Sequence, residues 1–68
     1  MTPTQFRATL KTLNLSQARL GRLLGVNMDT PTNWAKGNTA VPSAVVLLLE
    51  LMVRGVVTIE DLEAIKPE

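Results

Sequence analysis

Sixty-eight residues with one tryptophan, one phenylalanine and no tyrosine make a single domain around one small core. There is no cysteine and no histidine, which removes disulfides, thiolate metal sites and the commonest general base, so neither an enzyme nor a metal or other cofactor is expected. The formal net charge is only +1, but residues 1–40 hold Arg7, Lys11, Arg19, Arg22 and Lys36 against Asp29 alone, while 41–68 hold Arg54 and Lys66 against Glu50, Glu60, Asp61, Glu63 and Glu68. A basic half beside an acidic half is what a surface facing a polyanion, backed by a remote face, would give.

Thr2-Pro3-Thr4-Gln5 is a capping box with proline at the first helical position, and predicts a helix to about Leu13. Phe6, Leu10 and Leu13 fall on one stripe of it. Arg7 and Lys11 share another face, either solvated or turned to phosphate. Asn14 can end the helix in a left-handed conformation before Leu15 turns inward. Ser16 is the next N-cap, and Ala18, Leu20, Leu23 and Leu24 follow at helical spacing. Gly21 leaves room for a close crossing, Gly25 supplies the positive φ of a turn, and Val26 is expected to point into the core. Asn27 can cap another helix, whose inner face Trp34 fills and which Gly37 ends.

Pro31 divides the reading of that helix. If Asn27 caps it, Pro31 falls at the end of the first turn; if Thr30 caps it, Pro31 takes the favoured first position and the turn lengthens by three residues. Both readings stay open on these residues alone. After the loop at 37–40, a helix from about 41 to Arg54 is apolar almost all round, from Ala44 through Val53, and must be covered on both sides. A second copy is the simplest cover, with the chain's own tail as the alternative. Val56-Val57 reads as a short strand able to pair across a two-fold axis. Thr58, with Asp61 three residues on, caps a last helix over 58–65 whose stripe is Ile59, Leu62 and Ile65. Residues 66–68 read as a frayed end.

The apolar run at 44–49 is too short to span a bilayer and no leader opens the chain, so a cytoplasmic protein without membrane attachment is expected.

Three stretches, Leu15-Ser16-Gln17-Ala18, Leu24-Gly25-Val26-Asn27 and Asn33-Trp34-Ala35-Lys36-Gly37, resemble the lambda-repressor-like, Cro-type helix-turn-helix proteins of the XRE family. The likeness is strong over 15–37 and extends in outline from about residue 2 to residue 54. It implies an all-α, five-helix lambda-repressor-like domain over 1–68, with the helix-turn-helix unit at 16–37 and a core and dimerisation region at 41–65. The family pattern puts a β-branched aliphatic where Pro31 stands, so proline is expected to remove a buried side chain and a helical amide, and the family's spacing from Gly25 to Trp34 implies Asn27 rather than Thr30 as the cap.

By that resemblance the helix from Ser16 crosses the phosphate backbone and the helix from about Asn27 enters the major groove. Met28, Asp29, Thr32 and Asn33 are then the candidate base contacts: Asn33 for an adenine edge, Thr32 for a base or phosphate, Met28 for a thymine methyl. Asp29 can accept from cytosine, or simply favour the helix N-terminus. Gln17, as the family uses glutamine there, is the leading phosphate contact, joined by Arg19, Arg22, Lys36 and Asn38. Val46, Leu49, Val53, Val56 and Val57 are the candidate dimer interface. The function expected is a dimeric repressor that binds a palindromic double-stranded operator and occludes a promoter, with no small-molecule ligand. The alternative is a protein-interaction module on the same fold that has lost DNA affinity.

Overall fold

The computed structural model describes residues 1–65 and consists of five helices: α1 (Pro3–Thr12), α2 (Gln17–Leu24), α3 (Asp29–Lys36), α4 (Ser43–Val53) and α5 (Ile59–Ala64). Three start where a hydroxyl meets orphan first-turn amides. Thr2 Oγ1 accepts from the Gln5 amide at 3.1 Å while Gln5 Oε1 accepts from the Thr2 amide at 2.8 Å. Thr58 and Asp61 repeat that reciprocal box at α5, and Ser16 Oγ accepts from the Arg19 amide at α2.

Helices α1 to α4 all stop in the same way. At each, one residue takes a positive φ and the following amide reaches back to a carbonyl five residues earlier. The positive-φ residues are Asn14, Gly25, Gly37 and Gly55. The returning amides are those of Leu15, Val26, Asn38 and Val56, bonded to the carbonyls of Leu10, Gly21, Asn33 and Leu51. This corrects the expectation of a strand at Val56-Val57. The Val56 amide is held by Leu51 O at 3.0 Å, so it cannot enter a ladder.

Phe6, Leu10, Leu15, Leu20, Trp34, Ala35, Val45, Leu49 and Met52 form one buried cluster. At its centre Phe6 meets Trp34 edge to face, ring centroids 5.9 Å apart and planes at 86°, a geometry that aromatic quadrupoles favour. Helix α3 packs on α1 and α2, and α4 packs on α1, so α3 is held by two neighbours with one face left outward. Leu13, Leu23, Leu24, Ile59 and Leu62 border the core as expected, and Val57, expected instead in a strand at a two-fold contact, borders it too. Val26 and Ile65 do not. Val26 is 39% exposed because its amide closes the turn with its side chain outward, and Ile65, beyond the end of α5, is exposed. No helix among the described residues is long and apolar enough to cross a membrane. The expectation for 66–68 lies outside the described residues.

Candidate nucleic-acid interface

Helix α3 presents its outward face because three residues fix its inward one. Pro31, Trp34 and Ala35 are buried, and Asp29, Thr32, Asn33 and Lys36 lie opposite them at helical spacing. Pro31 is the third residue of α3, within its first turn; the cap position falls at Met28, which makes no side-chain cap bond, one residue beyond the expected Asn27 and short of the alternative Thr30. The Asn27 side chain accepts from the Asp29 amide at 2.9 Å, and its carbonyl accepts from the Thr30 amide at 3.0 Å. That carbonyl therefore has a donor although Pro31 has none to give.

Pro31 also corrects the expectation of a lost buried side chain. The ring is among the fully buried side chains, and a Cβ built on Gly21 would lie 3.4 Å from its Cγ. The ring packs against the bare Cα of Gly21, which leaves the space it needs. Gln17, Gly21 and Leu24 form the stripe of α2 on that α3 side, so Gln17, the first residue of α2, sits half-buried at the edge of the shared surface. No acid shares that edge of α2.

The outward side chains form a polar surface with one charge of each sign. Met28 is 64% exposed and Asp29 lies in the first turn, where its carboxylate suits the helix dipole. Thr32 Oγ1 donates to Met28 O at 3.3 Å, and Asn38 Nδ2 donates to Asn33 Oδ1 at 3.2 Å. Asn38, expected to face phosphate, thus also steadies Asn33, leaving the Asn33 amino group free to donate. Lys36 is exposed at the helix end.

Two basic residues are engaged in ways the sequence does not announce. Arg7 Nη1 donates to the carbonyl of Ala35, fastening α1 to the last turn of α3, where a cation also suits the dipole. Arg19 Nη2 lies 2.8 Å from Glu63 Oε1, bridging α2 to α5 across a shallow cleft that Arg22 and Leu23 also line. Arg19 and Arg22 stand on the side of α2 away from Gln17, so the structure does not bring them together with the α3 face. Lys11, Arg22 and Lys36 remain exposed without an acid or carbonyl partner among the described residues.

The apolar candidates in the second half divide. Leu49 is fully buried within the subunit core and offers nothing to a partner, because it lies on the inward stripe of α4 with Val45 and Met52. Val57 packs against the core, Val46 is half-buried beside Gln5 and Thr9 of α1, and Val53 and Val56 are exposed. Leu47 and Leu51, exposed on the opposite side of α4 from Leu49, were not among the interface candidates. Comparison with protein-family models, curated proteins and solved structures finds no match to the chain.

Proposed function

We propose that the protein is a sequence-specific, double-stranded DNA-binding regulator of the lambda-repressor-like, helix-turn-helix kind, acting as a dimer that occludes a promoter. The observation that carries this reading is the outward face of α3. A short helix clamped by α1 and α2 offers Met28, Asp29, Thr32 and Asn33 to solvent, with Gln17 at the adjacent helix N-terminus and Lys36 at its far end. Apolar, hydroxyl and amide groups on one rigid helix suit base edges in the major groove, and a glutamine at a helix N-terminus suits a phosphate. With no arginine on that face, the readout is of adenine and thymine edges rather than strong guanine contacts. Two copies would set two such helices about 34–36 Å apart on one side of the duplex and read a palindrome.

The second reading, a protein-interaction module on this fold, draws on the pairing of Arg7 and Arg19 within the chain, which leaves fewer cations for phosphate. A gel shift with DNA from upstream of the protein's own gene separates the two. The DNA reading expects a specific complex, weakened roughly tenfold or more by Gln17→Ala. Asn33→Ala is expected to lose about 1–3 kcal/mol of discrimination at one base pair while retaining general affinity. Absence of any specific complex with that DNA, together with co-purification of a protein partner, overturns it.

A further inference from the structure

The outward face of α4 is apolar and uncovered. Leu47 is 65% exposed, Leu51 is 40% exposed and Val56, just past the helix end, is 66% exposed. No described segment lies over them, and contiguous apolar surface on a small domain marks a contact site. We infer that a second copy of this chain covers this face, the two α4 helices packing antiparallel about a two-fold axis beside Leu51.

One register satisfies every group on the face. With the axis between Leu51 and Met52, each Leu51 meets its own symmetry mate and Glu50 lies closer to the opposite charge than to its own mate. Leu47 then falls against Val56 of the partner subunit, and Glu50 falls against Arg54 of the partner subunit. At a rise of about 1.5 Å per residue, the Leu51 pairing and the Glu50–Arg54 pairing each fall within about 1.5 Å of that one crossing level, and Val56 caps the stripe just past the helix end.

The charges choose the occupant. Glu50 and Arg54 are both exposed, four residues apart on the same flank of the Leu47–Leu51 stripe, and neither belongs to the ion pair formed between Arg19 and Glu63. A two-fold axis perpendicular to two antiparallel helices brings like flanks together, so carboxylate meets guanidinium twice. The surface is therefore complementary to itself. This inference deepens the proposed function by locating the contact that a palindrome reader needs, but it stands on exposure and charge, not on DNA.

Sedimentation velocity on the full chain over a micromolar to sub-millimolar series tests it. The wild type is expected to dimerise, and Leu51→Glu to stay monomeric with an unchanged helical circular dichroism spectrum, since Leu51 faces outward. Glu50→Arg and Arg54→Glu are each expected to weaken association about tenfold, because each sets like charges together twice, and the E50R/R54E double variant is expected to restore it. A wild type that remains monomeric throughout, or a dimer that both L51E and the single charge variants leave intact, overturns the proposal. Binding of the same variants to DNA carrying one half-site keeps the two ideas separate. Loss of dimer with retained half-site binding isolates the interface, whereas a dimer that L51E disrupts but that binds no DNA supports the interface and rejects the DNA reading.

Discussion

Pro31 and Gly21 show how one residue's chemistry is set by another. A proline in the first turn of a helix forfeits an amide that would otherwise need a partner, and here its ring fills a buried position against the bare Cα of Gly21. Gly21→Val should therefore push the two helices apart and cost about 1–3 kcal/mol, read as a lower denaturation midpoint at unchanged slope. Gly37 carries a stricter constraint, with φ at +82° and the position of any added Cβ only 2.9 Å from Pro3 Cγ. Glycine is required there by backbone and neighbour together. The pairing of Asn38 with Asn33 belongs to this scale too, since it makes the angle of a base-reading amide depend on a loop residue.

Helix against helix, two arginines invite comparison. Arg7 reaches a carbonyl at the end of α3, whereas Arg19 meets Glu63 with both side chains about half exposed. A charge-assisted bond in a partly buried setting stabilises more than a solvent-screened ion pair. Arg7→Ala is expected to lower stability by about 1–2 kcal/mol at low and high salt alike. Glu63→Gln should change it by less than about 1 kcal/mol, and the small loss should vanish in high salt. Urea melts of both variants at two ionic strengths check the contrast. Equal losses would mean that α5 is held to α2 chiefly by that ion pair and not by Ile59 and Leu62 against the core.

Over the whole molecule, charge sets how DNA binding should respond to salt. Five cations lie in the basic half, but Arg7 and Arg19 are occupied within the chain, leaving Lys11, Arg22 and Lys36. Each phosphate neutralised contributes about −0.9 to the slope of log affinity against log salt, so a dimer using three cations per subunit predicts about −5 and one using all five predicts about −9. Fluorescence anisotropy titrations between low and physiological salt measure that slope. A value near −9 would mean that Arg7 and Arg19 abandon their partners when DNA arrives.

The helices and their ends were legible in the chain itself. Capping boxes at Thr2 and Thr58, the serine cap at Ser16 and the stops at Asn14, Gly25 and Gly37 depend on residues within five positions of one another, so sequence suffices to place them. The start of α3 was legible only to within a residue: the family spacing from Gly25 to Trp34 favoured Asn27 as the cap, but the cap position falls at Met28, while the Asn27 side chain accepts from the Asp29 amide beside it. Other features needed the assembled molecule. Periodicity cannot choose the inward side of a helix that is apolar all round, and only packing on α1 sent Leu49 into the core and left Leu47 and Leu51 outside. Nor can composition say where a long cationic side chain goes. Arg7 found a carbonyl 28 residues away and Arg19 a carboxylate 44 away, contacts that exist only once tertiary folding has brought distant segments together.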